Sequence, residues 1–363
     1  MSRKTTIFSV FLVLILMFSF SGLVNAQSVA AAKEEQAKLL SQQKEIATKM
    51  MKASENGDHE AYNTLKAEFE TLDKRIVDLQ EIINTDVEGR NKVNAVKKLY
   101  SEGYTAYKIK RFTDATSKFN QAITDGKALN DPTVMETVKL AYIGLAYIYN
   151  SQTKYVDMIA PLEEAIKIDP NDFVPYYLKG SSYGRQGKYT DAIAAYQQSI
   201  TLNGTKQNIT SRFNTAVIYF DKLKEYDKAI EFFNSVLELE PQHGKAWKYL
   251  GRSYLDSNKY KEAEYALTQA TVILMNDYEP FYKLSELYNK TGKYTDAITA
   301  ADNAMKFHAR KAKYGGALIE RGKAFKMTGN NARALEDFEA ALGDRDFKKI
   351  AEYEIEVLKK GKN

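Results

Sequence analysis

Along most of the chain, large apolar side chains stand three and four residues apart, stop, and begin again in the same order 34 residues later. From 173 to 206 the series reads Tyr176, Gly180, Tyr183, Gly187, Tyr189, Ala192, Tyr196, Ser199 and Gly204. It returns as Trp247, Leu250, Gly251, Tyr254, Tyr260, Ala263, Leu267 and Ala270, and again as Phe281, Leu284, Ser285, Tyr288, Gly292, Tyr294, Ala297 and Ala304. Steps of three and four share one side of a helix, so each unit is predicted to be two helices separated by a turn. Small residues fall in matched places, Gly180 with Ala192, Gly251 with Ala263 and Ser285 with Ala297, where the two backbones must come close. Gly187 and Gly292 stand where the first helix stops, since glycine enters the left-handed conformation of such a stop at little cost.

Extending this register predicts seven units, at 96–129, 139–172, 173–206, 210–243, 244–277, 278–311 and 315–348. Two depart from the pattern: Val217 replaces the expected glycine or alanine, which predicts a wider helix pair, and Asn331 replaces the usual tyrosine. After them, Phe347, Ile350, Ala351, Val357 and Leu358 predict a capping helix over 349–363, apolar inward and solvated outward. Before them lies a different pattern. Tyr62, Leu65, Phe69, Leu72, Ile76, Leu79 and Ile83 form a coiled-coil seam, opposed by a weaker one of Val29, Ala32, Gln36, Leu39, Gln43, Ile46, Met50 and Ala53. Asn56-Gly57 marks a turn and Asp58 a helix cap, so 27–85 is expected to be an antiparallel hairpin, roughly 40 Å long at ~1.5 Å per residue. Thr85 with Glu88 reads as a capping box that starts the next helix and sets the boundary of the repeat region, 86–348. The two seams are unequal in apolar surface, so either the first unit or a second copy is expected to cover the richer one.

The recurring residues resemble the tetratricopeptide repeat, and Pro170 and Pro241 stand at that family's usual proline position. The resemblance implies an all-α, right-handed superhelix whose first helices line a concave groove. It also implies that the fifth and ninth positions of each unit face the groove. Those positions hold Tyr100 and Tyr104, Ile143 and Tyr147, Tyr177 and Ser181, Asn214 and Ile218, Lys248 and Arg252, Tyr282 and Glu286, and Ile319 and Lys323. Of these, Tyr100, Tyr104, Tyr147, Tyr177, Asn214, Lys248, Arg252 and Tyr282 are the expected partner-binding residues. The alternative for Tyr100, Tyr104 and Tyr107 is packing beneath the hairpin. Lys248 and Arg252 resemble one part of the carboxylate clamp by which some family members grip a peptide's C-terminus, but Tyr177 and Ser181 stand where its other part would be.

Other features narrow the function. Arg3 and Lys4 precede an apolar run from Ile7 to Phe20, and Val24-Asn25-Ala26 offers small residues before Gln27, so 1–26 is expected to be a cleaved export signal, with an uncleaved anchor as the alternative. The chain has no cysteine, which excludes a lipid anchor at the cleavage point and any disulfide. An exported, cysteine-free solenoid points to a bacterial periplasm. The net charge of +5 over 363 residues is small and mixed in sign, which does not favour a nucleic-acid partner. His59, His243 and His308 fall in different units without a second ligand at helical spacing, and no phosphate loop or nucleophile elbow is present, so no enzyme, metal or cofactor is expected. The expected function is an exported scaffold that binds a protein or peptide in its groove and assembles through the coiled coil, similar in architecture to periplasmic adaptors of envelope synthesis. The alternative is an accessory that holds glycan or peptidoglycan fragments on the tyrosines.

Overall fold

The computed structural model describes residues 21–56, 58–202, 208–307 and 315–360. All regular structure among them is helical. The chain divides into two compact units, up to Ala141 and from Tyr142 onward.

The first unit opens with the hairpin. Helix α1 (Ser21–Glu55) and helix α2 (His59–Lys108) are joined by the expected turn, where the Ala61 N–H donates to the Asp58 carboxylate at 3.0 Å. Val29, Ala32, Ile46 and Ala53 of α1 are buried, as are Leu79 and Ile83 of α2, all members of the seams. The glutamines of the weaker seam are not wasted: Gln36 donates to Gln80 and Gln43 to Asp73, each at 2.9 Å, and Arg75 pairs with Glu35. Toward the turn, Tyr62, Leu65, Phe69, Leu72 and Ile76 stay only half-buried.

The capping box at Thr85 does not form. Helix α2 runs through it for 50 residues, and the Thr85 hydroxyl donates to the Glu81 carbonyl one turn back at 2.9 Å. No proline interrupts the stretch and a Cβ at Gly89 would meet nothing within 4 Å, so a single helix satisfies the backbone there without a cap. The second helix of the hairpin is thus also the first helix of the first repeat. It packs on α3 (Phe112–Leu129), where Phe119 is fully buried and a Cβ at Gly103 would lie 2.9 Å from its ring. The division between units falls within α4 (Pro132–Ser151).

The second unit stacks helix pairs: α5 (Ile159–Ile168) beside the end of α4, α6 (Phe173–Arg185) with α7 (Tyr189–Leu202), α8 (Ile209–Val217) with α9 (Tyr226–Leu239), α10 (Gly244–Asp256) with α11 (Tyr260–Ile273), α12 (Tyr278–Lys290) with α13 (Tyr294–Phe307), and α14 (Gly315–Met327) with α15 (Asn331–Ala341). The small residues do what their spacing predicts. Ala192, Ala263 and Ala297 are fully buried, and a Cβ at Gly251 would stand 2.6 Å from Leu267. Each interhelical turn passes through one left-handed residue at the same offset: Lys110, Thr153, Gly187, Lys224, Asn258, Gly292 and Gly329, with φ from 57 to 80°. Glycine is absent from four of these, so the register of the helices, not the glycine, sets the turn. At Val217, where glycine or alanine was expected, α8 passes directly into a π-helical turn, Ile218–Leu223. Ala216, one residue earlier, is fully buried against the paired helix, and Val217 is only partly covered.

Helix α16 (Lys348–Lys360) caps the stack with a face different from the one expected. Ala351, Glu354 and Leu358 are buried, and Glu354 accepts from Lys326 at 2.5 Å. Ile350 and Val357, expected to point inward, are exposed, because Phe347, Ala351 and Leu358 already fill the contact with Ile319 and Phe338. Among the described residues no helix is long and apolar enough to cross a membrane. The apolar run of the expected signal, 7–20, lies outside them, and residues 24–27 fall within α1.

Candidate functional site

The candidate surface is the row of fifth and ninth positions on the first helix of each pair. In the first unit it consists of Tyr100 and Tyr104 on α2, whose rings stack at 6.4 Å. Tyr100 also leans on Phe119 at 5.8 Å and is half-buried, while Tyr104 is 46% exposed. Neither is buried beneath the hairpin helices.

In the second unit the same positions meet four fates. Ile143, Ile218 and Ile319 are core rather than groove, at 6, 8 and 2% exposure. Each is covered by neighbouring apolar residues, Ile143 by Met158 and Leu178, Ile218 by Ala192 and Tyr196, Ile319 by Ala351 and Leu358. The tyrosines sit higher. Tyr147 is 38% exposed; Tyr177 is half-buried, its ring 6.0 Å from that of Tyr196. Burial pushes the Tyr196 phenol up to about 12, against the hydrogen bond it accepts from the Asn214 amide at 3.3 Å. Asn214 therefore serves a buried phenol of the preceding repeat.

The third fate is that of the cations. Lys248 donates to Asp277 and Glu279, each at 2.8 Å, and Arg252 donates to the other oxygen of Glu279 at 2.9 Å. Asp277 also caps α12 by accepting the Glu279 N–H. The Arg252 guanidinium lies 4.7 Å over the Phe220 ring and 5.1 Å over that of Tyr249, so its planar faces are occupied as well as its edge. Burial opposes the charge on Lys248, but the hydrogen bonds to Asp277 and Glu279 outweigh it and hold the ammonium above its ordinary range. Both cations of the clamp-like pair are thus committed to the next repeat.

The fourth fate is intermediate. Tyr282 is half-buried between the edge-on Phe347 ring at 6.3 Å and the Lys283 ammonium at 4.8 Å, and burial drives its phenol well above the usual range. Glu286 is bracketed by Lys283 at 2.8 Å and Lys290 at 3.4 Å. Lys323 pairs with Glu320, which also accepts from the Asn289 amide at 2.8 Å.

Asp277, Glu279, Asn289 and Glu320 escaped sequence reasoning. For Asp277 and Glu279 the available signal was an acidic residue 29 and 27 residues downstream of Lys248 and Arg252, on the approach to the next first helix. His243 caps α10, its Nδ1 accepting the Ala246 N–H at 3.0 Å. His308 lies outside the described residues, and among these no group of three or more metal-ligating side chains comes together.

Models of the tetratricopeptide repeat match residues 177–243 and 222–277. A general transcriptional corepressor of Dictyostelium discoideum is 29% identical over 143 residues, 38% of this chain and 10% of that protein. A TPR repeat-containing protein of Methanocaldococcus jannaschii is 25% identical over 229 residues, 61% of this chain and 38% of that protein. The chain therefore spans well under half the length of these relatives. A solved structure, the C-terminal part of a TPR repeat-containing protein from Cytophaga hutchinsonii, superimposes with a TM-score of 0.56 at 16% identity, covering 70% of this chain and 99% of that one.

Proposed function

The chain is a tetratricopeptide repeat protein, and from that premise we propose that it is an exported, non-enzymatic scaffold that holds a protein or peptide against its inner helices. Proteins of this family act as protein-interaction scaffolds. The observation that carries the finer reading is the contrast on the inner row: Tyr147 keeps 38% of its surface exposed while Lys248 and Arg252 are consumed by Asp277 and Glu279. A tyrosine offers a large ring and a hydroxyl on few rotatable bonds, which suits partner contact. Contact is assigned to Tyr147 and Tyr177 in the second unit and to Tyr100 and Tyr104 in the first. Asn214, Lys248, Arg252 and Tyr282 shape the row while holding neighbouring repeats in register.

The half-buried seam Tyr62, Leu65, Phe69, Leu72 and Ile76 supports assembly of the hairpin into a dimer or trimer. Export to a bacterial periplasm rests on the apolar run from Ile7 to Phe20 behind Arg3 and Lys4. The test is capture from envelope extract with the full chain and with Tyr147→Ala. A protein retained by the first and lost by the second supports the scaffold. Retention of soluble muropeptides instead would replace the protein partner with a glycan one, and equal retention by both chains would remove Tyr147 from the contact set.

A further inference from the structure

Counting on from the unit 315–348, α16 takes the place of an eighth inner helix. Ile350, Tyr353 and Val357 then stand at the offsets that Glu279, Tyr282 and Glu286 hold in the sixth unit. In the sixth unit those side chains are partly covered; here all three are open, at 43, 63 and 38% exposure. At 100° per residue they fall within an arc of about 60°, a single apolar stripe. The offsets at which a further outer helix would pack hold Glu352 and Glu356, both exposed, and burying two carboxylates against a helix is costly. That face of α16 is built for water. The apolar stripe is not.

We propose that the Ile350, Tyr353, Val357 stripe docks a second copy of this chain, α16 against α16, antiparallel about Tyr353. The charge pattern selects this occupant. Lys349 and Glu356 flank the stripe on its outer side, and both are exposed. In an antiparallel pair centred on Tyr353 the two rings meet at the axis, Ile350 comes within one residue of level with the partner's Val357, and Lys349 within one residue of level with the partner's Glu356. Two-fold symmetry makes each of these contacts twice. A parallel pair would instead carry this flank to opposite sides of the seam, where Lys349 and the partner's Glu356 do not meet. Within one chain Glu356 pairs with Lys360, an exposed pair that can share the carboxylate with a second cation. The patch is small beside a standard interface, so the association belongs to the weak, concentration-dependent class. It is independent of the hairpin and of the tyrosine row.

The absence of cysteine makes the test direct. With Tyr353→Cys in the otherwise intact chain, mild oxidation should join two chains through residue 353, because that position lies on the axis. Tyr265→Cys, at a site 62% exposed in the native chain, is the control for random collision. The expected result is cross-linking at least roughly tenfold faster at 353 than at 265, since a docked pair raises the local concentration of the two thiols. Adding Lys349→Glu should slow the reaction at 353 roughly fivefold, and adding Glu356→Lys as well should restore it. Equal rates at 353 and 265 overturn the proposal, including the case in which the hairpin alone assembles the protein. Failure of the double reversal to restore the rate overturns the antiparallel register. Sedimentation of the native chain and of Lys349→Glu provides a readout free of cysteine: the weak, concentration-dependent association beyond any hairpin assembly should diminish in Lys349→Glu, and a concentration dependence that the single reversal leaves unchanged overturns the proposal.

Discussion

Tyrosines at one end of the inner row and cations at the other occupy the same offsets of the same repeat, yet the second unit treats them oppositely. Tyr177 leans on the Tyr196 ring, and both it and Tyr147 keep part of their surface toward solvent. Lys248 and Arg252 are met by Asp277 and Glu279 from the next inner helix. A half-covered ring loses little, because its edge and hydroxyl remain wet. A half-covered cation without a partner would lose much of its hydration, so the stack supplies one. Both charges at these offsets are therefore already paired within the stack.

Four measurements bear on this contrast. The largest effect is expected beneath both regions, at the close crossing where Ala263 is fully buried. Ala263→Leu should cost about 1–3 kcal/mol by overpacking, read from denaturant midpoints, and it sets the scale for a core position. Next is Glu279→Ala, which removes the carboxylate that Lys248 and Arg252 share and leaves Lys248 with Asp277 alone. A loss of about 1–2 kcal/mol is expected, and a change as small as that of an exposed substitution would return these cations to the groove.

Acid should act on the charged end. Burial works against ionisation of Glu286, but Lys283 and Lys290 outweigh it and hold the carboxyl below its ordinary 4.5. A depressed pKa contributes stability that is fully present above pH 4.5 and is lost as pH falls through the lower folded value. Glu286→Gln should therefore flatten part of the stability decline on acidification below that point, and an unchanged slope would deny the carboxyl its role. The smallest effect on stability belongs to the tyrosine end. Tyr147→Ala should shift unfolding by less than about 0.5 kcal/mol while lowering partner retention, and a shift as large as that of Ala263→Leu would make Tyr147 core.

Much of the helix pattern was legible. The turn residues keep one offset even where Lys110, Thr153, Lys224 and Asn258 stand in for glycine, because apolar spacing fixes where each helix ends. The cap at Asp58 was legible for the same local reason. The supposed start at Thr85 misled, since a serviceable cap sequence remains helical when the helix on either side is uninterrupted. In the site, the offsets identified the row, but Ile143 and Ile319 were indistinguishable from Tyr147 until their neighbours were in place. The outward stripe of α16 was hidden too, because Ile350 and Val357 read as core in an amphipathic pattern.

The sequence by itself determined the helix pairs, their close crossings and the positions of their turns, all of which follow from interactions within a few residues or a fixed repeat length. Only the tertiary structure decided which inner side chains are covered. Coverage depends on what the next helix brings to the same place, whether Glu279 against Arg252, Phe347 against Tyr282, or the solvent that Tyr353 meets. That is a property of two helices about one repeat apart, and no local pattern encodes it.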